Sequence, residues 1–188
     1  MQNLFKSTLI CLLFTTIALS QESSFKFDKD GFTDYVVVEC PGKSQEDLYK
    51  KALDWVAVTY KDPEEVIKAK IVNDYIRIEG SSENLILLNV LGKSYYRARY
   101  QIEISLKDGK YKFDIIDIRQ YTPSSKYTSG GWAPLNIAYT TDYYNKKGEL
   151  RGMYKYLPDS LTNYFNDLNT SLKKFIDTET SATKKNEW

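Results

Sequence analysis

The side chains that could carry chemistry in this chain are its lysines, arginines, carboxylates and tyrosines. Its 188 residues include no histidine and two cysteines, beside 26 Lys and Arg, 25 Asp and Glu, and 16 Tyr. The lack of histidine excludes Ser-His-Asp triads, Cys-His dyads and most zinc and iron sites. Because the charges nearly balance, no overall attraction draws the chain to nucleic acid or to an anionic membrane.

The first candidate site is a set of basic side chains that alternate with apolar ones along the sequence. Alternation with period two places such side chains together on one face of a sheet. The cations expected on this face are Lys68, Lys70, Arg77, Arg97 and Arg99, and its other polar residues are Glu79, Gln101 and Glu103. This excess of cations predicts a locally basic surface that binds an anion. The alternative is a solvated face with cross-strand ion pairs.

The second candidate site is the aromatic stretch 121–156, which contains Trp132 and Tyr139 among many tyrosines and few apolar residues. Tyr and Trp offer a large, rigid contact area with a polar group, so such a stretch suits a protein or sugar partner. The alternative is that the rings cover the core. In that case Trp132 and Tyr139 would be fully buried.

Carboxylates are plentiful, but no spacing selects a catalytic pair. A glycosidase needs two carboxyl groups about 5–10 Å apart, and the candidates are Asp114, Asp117, Glu103 and Asp142. We therefore predict that the protein is not an enzyme, with a histidine-independent hydrolase as the alternative. Phosphate-binding glycine motifs are absent and the short acidic segment 28–31 predicts a turn, so we expect neither a cofactor nor a metal.

The candidate site residues must be positioned by β-strands, and the sequence predicts several of them. Residues 31–39 are β-branched and aromatic and predict a first strand. Asp108-Gly109 is a strong hairpin signal and pairs Leu106 with Tyr111, Ile104 with Phe113 and Ile102 with Ile115. The alternation then shifts within residues 115–118, which predicts a bulge or a strand buried on both faces.

A preceding hairpin is expected around Asn73-Asp74, read as a two-residue turn. That turn pairs Val72 with Tyr75 and sets Ile71 opposite Ile76, so that both apolar sets share one face. Residues 85–91 are apolar without a clear period. They either open the next strand or form a covered connection.

Two helices are predicted to pack on this sheet. Ser44 offers an N-cap, and the apolar positions Leu48, Ala52, Trp55 and Val56 then share one helix face that ends near residue 60. A broad apolar stripe predicts a second helix over residues 158–176. The order strand, helix, four strands, helix predicts an α+β fold, with an antiparallel sheet and the helices packed on one of its faces.

Residues 1–20 predict a signal peptide for export. An apolar run of about a dozen residues follows Lys6, and small residues precede a cut after Ser20. The protein is then periplasmic or extracellular, without a membrane span. A lipoprotein signal at Cys11 is the competing reading, but the bulky Ile10 precedes that cysteine.

Residues 21–176 are expected to form one domain, followed by a disordered tail at 177–188. After cleavage Cys40 would be the single remaining thiol. We expect Cys40 to be a partly buried thiol at the end of a strand rather than a nucleophile.

Three segments carry a family resemblance: GFTDYVVVECPGKSQEDLYKKALDW, IRIEGS and YRARYQIEISLKDGKYKFDI. Over roughly residues 30–120 the chain resembles a family of secreted bacterial domains of unknown function with a TATA-binding-protein-like (TBP-like) fold. The resemblance implies a β-α-β(4)-α architecture and export, and it brings no catalytic residue. Such a fold name does not imply DNA binding. We expect an exported, non-catalytic binding or assembly module whose partner is a protein or glycan of the cell envelope, not a nucleic acid.

Overall fold

A computed structural model describes residues 24–137 and 143–178 of the chain. The strands are β1 (Phe27–Asp28), β2 (Gly31–Phe32), β3 (Tyr35–Glu39), β4 (Ile67–Ile71), β5 (Tyr75–Asn89), β6 (Lys93–Lys107), β7 (Lys110–Thr122) and β8 (Gly131–Pro134). The helices are α1 (Gln45–Thr59), α2 (Pro63–Val66) and α3 (Leu157–Asp177), and residues Gly152–Tyr154 form a 3-10 turn.

Six antiparallel strands form the main sheet in the order β3-β7-β6-β5-β4, with β8 pairing the far end of β7. The short strands β1 and β2 form a separate hairpin around the predicted turn at residues 28–31. Helices α1 and α3 pack on the same face of the main sheet and against each other. The other face carries no helix among the described residues, and we call it the open face. The predicted α+β class, with helices on one side of an antiparallel sheet, is confirmed.

The β6–β7 hairpin has the predicted register. Leu106 pairs with Tyr111, and the two further predicted pairs follow it along the strands. The register then shifts between Gln101 and Ile102, where Ile116 is the extra residue of a β-bulge. The bulge explains the shift in alternation, because one additional residue moves every later side chain to the other face.

The predicted register of the β4–β5 hairpin is wrong by one residue. Ile71 pairs with Tyr75 and Lys70 pairs with Ile76, so the turn has three residues instead of two. Asn73 lies at its centre with φ 61°, a left-handed conformation that asparagine tolerates better than most residues. Ile71 consequently shares the face of Tyr75 and is exposed instead of joining the core.

Residues 85–89 continue β5, so this apolar stretch neither opens the next strand nor forms a covered connection, and both expectations are wrong. A bulge between Ser82 and Ile86 interrupts the alternation, and beyond it Ile86 pairs with Tyr96. Leu85 and Ile86 are fully buried. The lost period in the sequence therefore marks an irregularity within a strand rather than a connection between strands.

Both helices begin and pack as the sequence predicts. The Ser44 hydroxyl accepts the Asp47 backbone N–H at 3.1 Å, and the buried side of α1 contains all four predicted apolar residues. Asp108 at the tip of the β6–β7 hairpin accepts the backbone N–H of Gln45 at 2.8 Å. The hairpin thereby caps the start of α1, where backbone N–H groups lack helical partners. Helix α3 runs one residue further at each end than predicted.

Asn166 of α3 holds the start of the described chain. It accepts the Phe25 N–H at 2.8 Å and donates to the Phe25 carbonyl at 3.0 Å. Phe25 is buried beside Phe32, Phe113 and Phe165. The segment before β1 therefore lies against the helical layer, away from the open face.

The predicted signal peptide, Cys11 and the tail beyond Thr178 lie outside the described residues. Within residues 24–137 and 143–178, no helix combines the length and the apolar character needed to cross a membrane.

Candidate functional site

The open face carries four of the five predicted cations. Arg77 on β5 points to this face, and so do Arg97 and Arg99 on β6. The residues that alternate with them along each strand are buried on the helix side. Lys68 reaches Glu79 of the same face at 3.8 Å. The placement of Lys70 is wrong: its cross-strand partner Ile76 is a core residue on the helix side. The three-residue turn displaces Lys70, because directly opposed residues share a face.

The expected excess of positive charge on this face is largely neutralised. Arg77 donates twice to Glu103, and the sequence-distant Glu83 pairs with Arg97 at 2.6 Å. Neighbouring Lys112–Asp114 and Arg119–Asp117 pairs each measure 2.8 Å. The hydrogen bond to Glu103 raises the pKa of Arg77 further, so its charge is permanent. The open face is thus mainly the second of the two arrangements considered from the sequence: a solvated face with ion pairs between strands, rather than an anion-binding surface.

Arg99 is the exception. Among residues 24–137 and 143–178, no carboxylate forms an ion pair or hydrogen bond with its guanidinium. Its direct cross-strand partner on β7 is a second cation, Arg119. Like charges in directly opposed positions repel each other. Arg119 is compensated by Asp117, whereas the charge of Arg99 is balanced by no described side chain.

The aromatic stretch meets the basic residues at this point. Strand β8 pairs with β7 so that Trp132 lies opposite Tyr121, with their rings 5.1 Å apart. The Arg99 guanidinium lies 4.4 Å from the centre of the Trp132 ring, and Arg97 lies 5.9 Å from that of Tyr121. We call these four residues the Arg–aromatic surface. The two candidate sites of the sequence therefore meet at this surface.

The rest of the aromatic stretch divides between surface and core. Trp132 is half-buried rather than fully buried. Tyr143 is buried against Phe27 and Tyr154, and so covers the core as the alternative predicted. Tyr139, the other candidate residue, lies outside the described residues. Strand β8 and the 3-10 turn give regular structure to part of the aromatic stretch 121–156.

A polar groove of about 630 Å³ borders Arg99 on the side away from Trp132 and strand β8. It lies between β5 and the segment that joins α1 to β4. Besides Arg99, its charged lining residues are Lys61, Asp62, Glu65, Lys68 and Glu79, and Ser81 also lines it. This volume falls in the range of small-ligand sites. The groove brings Lys68 and Arg99 together, whereas Arg77 lies further along β5, in its pair with Glu103.

The carboxylates proposed for hydrolysis are engaged in ion pairs. Glu103 and Asp114 are cross-strand partners on the open face. Each contacts a cation at 2.8 Å, Arg77 for Glu103 and Lys112 for Asp114. Asp142 lies outside the described residues. The described part of the chain also has no group of three or more side chains placed to hold a metal ion.

The thiol and the buried phenols are poorly suited to nucleophilic chemistry. Cys40 is buried, and burial raises the pKa of its thiol, which leaves it protonated and unreactive. The hydroxyl groups of Tyr60 and Tyr164 lie 3.2 and 2.9 Å from that of Tyr100. Burial raises the pKa of all three phenols. They act as neutral hydrogen-bonding groups.

Sequence reasoning missed two features of the open face. Arg119 was not considered as a neighbour of Arg99, because the bulge at Ile116 sets that pairing. A second groove of about 510 Å³ near the β6–β7 turn is lined by Lys107, Lys110 and Lys112. The spacing of these lysines around Asp108-Gly109 was a signal for it.

Comparisons with known proteins agree with this architecture. Residues 35–121 match the family described as a domain of unknown function (DUF4468) with TBP-like fold. A crystal structure of a DUF4468 family protein from Bacteroides ovatus ATCC 8483 is similar with a TM-score of 0.58 and 18% identity, covering 83% of this chain and 91% of that one. A search of curated proteins finds no match.

A second crystal structure, of a TBP-like protein from Parabacteroides distasonis ATCC 8503, has a TM-score of 0.54 and 12% identity. The match covers 77% of this chain and 91% of that one. At these identities the structures show a shared fold and nothing about ligands. The fold expected from the sequence resemblance, TBP-like, is thereby confirmed.

Proposed function

Because the chain resembles, over residues 35–121, the DUF4468 family of TBP-like domains of unknown function, we propose its function from the geometry of its own surface. The protein is an exported, non-catalytic binding module. Its ligand is an acidic glycan, held on the open face by the Arg–aromatic surface and the polar groove beside it. The unbalanced charge of Arg99 is the observation that carries this proposal.

Arg99 is placed to receive an anion. A carboxylate bound to its guanidinium would form charge-assisted hydrogen bonds and would reduce the repulsion from Arg119. The Trp132 ring already holds the guanidinium at 4.4 Å, so less side-chain freedom is lost on binding. Arg77 and Arg97 are less able to bind an anionic ligand, because each guanidinium already contacts a carboxylate of the protein.

The surroundings of Arg99 favour a saccharide. The Tyr121 and Trp132 rings provide flat, half-buried surfaces with polar edges. The adjoining groove is lined by hydroxyl and charged groups, including Ser81, Lys68 and Glu79. A polyhydroxylated chain can satisfy such groups, whereas an apolar ligand would leave them unpaired.

Binding of an oligogalacturonate probe by calorimetric titration tests the proposal, with a neutral oligosaccharide of equal length as the comparison. We expect Arg99→Ala and Trp132→Ala each to weaken binding at least about tenfold, the loss of one charge-assisted contact. Arg77→Ala is the matched control, since Arg77 is on the same face but occupied by Glu103. It should change affinity by less than about twofold.

Equal binding by wild-type protein and Arg99→Ala would contradict the proposed site. Preference for a polyglutamate peptide over the acidic saccharide would contradict the ligand class and favour a protein partner. Thermal unfolding of each variant confirms that the fold is retained. A change in melting temperature alone, with unchanged affinity, also counts against the site.

Export is part of the proposal and rests on the predicted leader at residues 1–20. The protein recovered from the native cell envelope is expected to begin at Gln21. Intact-mass measurement and N-terminal sequencing check the cut. A lipid-modified Cys11, or an uncleaved chain in the cytoplasm, would contradict it.

A further inference from the structure

The β5–β6 hairpin projects beyond the rest of the sheet. Residues 86–89 of β5 pair with residues 93–96 of β6, and among the described pairings these residues of β6 have no partner on β7. The turn at the tip is Val90-Leu91-Gly92, with Val90 40% exposed and Leu91 fully exposed. Two aliphatic side chains thus stand at the end of this two-stranded extension of the sheet.

The conformation of Leu91 is unfavourable for its side chain. Its φ is 55°, in the left-handed region that glycine and asparagine adopt readily and that a bulky residue seldom occupies. Leu91 is fully exposed, so no packing within the molecule compensates for this strain. Backbone strain of this kind is concentrated at functional sites, and here it points to an external contact for Leu91.

Cations and a tyrosine lie behind the tip. The ammonium groups of Lys93 and Lys155 lie 5.2 and 5.3 Å from the centre of the Tyr156 ring. Asn89, the last residue of β5, donates to the Gly152 carbonyl at 3.1 Å and so joins the 3-10 turn to this end of the sheet. That turn presents a half-exposed Met153.

We propose that this hairpin tip docks on an anionic lipid surface. Val90 and Leu91 enter the boundary between headgroups and acyl chains, while Lys93 and Lys155 contact lipid phosphates and Tyr156 lies at the headgroup level. Apolar residues at the end of a protrusion, with tyrosine and lysine behind them, match the order of layers in a lipid interface.

The turn at the opposite end of β5 provides the comparison within the molecule. Val72 is 72% exposed there, but Asp74 lies in the same turn and adds a carboxylate. An anionic surface repels that group. Asp74 also borders the groove lined by Lys107, Lys110 and Lys112, so that end carries charges of both signs. We assign docking to the Leu91 end, because Leu91 is fully exposed there in a left-handed conformation. The assignment does not depend on the Arg–aromatic surface.

Flotation of the chain from Gln21 onward, with vesicles of phosphatidylcholine containing about one third phosphatidylglycerol, tests the proposal. Leu91→Asn should reduce the bound fraction about tenfold, because it removes the inserted side chain. Asparagine suits the left-handed turn, so this variant is expected to fold normally. Lys93→Gln and Lys155→Gln should each reduce binding about fivefold, and added salt should weaken wild-type binding.

Val72→Asn is the matched control at the opposite turn and should bind as the wild type does. Failure of the wild-type protein to float with anionic vesicles would overturn the proposal, as would full binding by Leu91→Asn. Equal loss in Val72→Asn would show general adhesion of exposed apolar residues and would also overturn it. Arg99→Ala is expected to float normally, which separates this result from the glycan site.

Discussion

Gly80 and Tyr100 are direct cross-strand partners, and the end of the Tyr100 ring occupies the space that a Cβ atom on Gly80 would need. Tyr100 is buried and its hydroxyl contacts those of Tyr60 and Tyr164. Gly80 therefore provides the room in which the three phenols meet, between the sheet and α3. Its φ lies outside the left-handed region, so space rather than backbone conformation selects glycine here.

Gly80→Ala should destabilise the protein by about 3 kcal/mol, the upper part of the range for overpacking a core. Urea unfolding measures the change. Gly152→Ala is the matched control, because a Cβ there meets no atom within 4 Å, and it should cost less than about 0.5 kcal/mol. In a Tyr100→Leu background the cost of Gly80→Ala should become smaller. An unchanged cost there would mean that the Tyr100 ring is not the obstacle.

The buried phenols predict loss of stability at high pH. Burial raises the pKa of Tyr60, Tyr100, Tyr111 and Tyr164, whereas in the unfolded chain a tyrosine has a pKa of about 10. Above about pH 10 the unfolded state loses protons that the folded state retains, so the free energy of unfolding falls as pH rises. Each phenol contributes at most about 1.4 kcal/mol per pH unit.

Urea unfolding between about pH 8 and pH 11 checks this slope. A Cys40→Ala background is used, since burial raises the thiol pKa and adds a slope of the same sign. Tyr111→Phe should make the slope shallower, while Tyr127→Phe, at an exposed position, should leave it unchanged. Stability that stays constant up to pH 11 would contradict the assignment.

The Tyr111 hydroxyl donates to the side-chain oxygen of Asn169 at 2.8 Å, inside the layer between β7 and α3. Asn169 is the buried polar side chain of α3. Asn169→Leu should cost about 1–3 kcal/mol, because it leaves the buried hydroxyl with only the longer contact of 3.4 Å to the carbonyl of residue 169. The double variant Asn169→Leu/Tyr111→Phe should recover part of that loss. Additive losses in chemical unfolding would show that the two residues act independently.

The contact between Arg99 and Trp132 should be measurable without any ligand. A double-mutant cycle with Arg99→Ala and Trp132→Ala is expected to give a coupling of about 0.5–1 kcal/mol, the usual range for an exposed cation–π pair. A cycle of Arg77→Ala with Trp132→Ala serves as the control and should give no coupling beyond about 0.3 kcal/mol. No coupling in the first cycle would place the Arg99 guanidinium elsewhere in solution.

The β6–β7 hairpin and both long helices could be predicted because local signals agreed there with tertiary structure. Asp108-Gly109 sets the turn, and uninterrupted alternation then fixes which residues face the core. The Ser44 cap and the apolar faces of the helices act within a few residues in the same way. The shift in alternation at residues 115–118 even located the bulge.

Other parts could not be predicted, because they depend on irregularities that leave no short-range pattern. A third residue in the β4–β5 turn moved Lys70 to the helix side. The bulge between Ser82 and Ile86 hid the second half of β5. The meeting of Arg99 with Trp132 required β8, a four-residue strand inside a stretch without periodicity. Arg97, Arg99 and Trp132 of the proposed site were named from the sequence, while their convergence was not.

The strict alternation along β6 has a consequence for how such a domain can diverge. Ala98 and Tyr100 lie in the core, while the intervening Arg97 and Arg99 face outward. Mutations at the outward positions change surface contacts, such as that of Arg99 with Trp132, without disturbing the buried core. We therefore expect lineages that keep this scaffold to exchange one ligand for another by altering every second codon of a single strand.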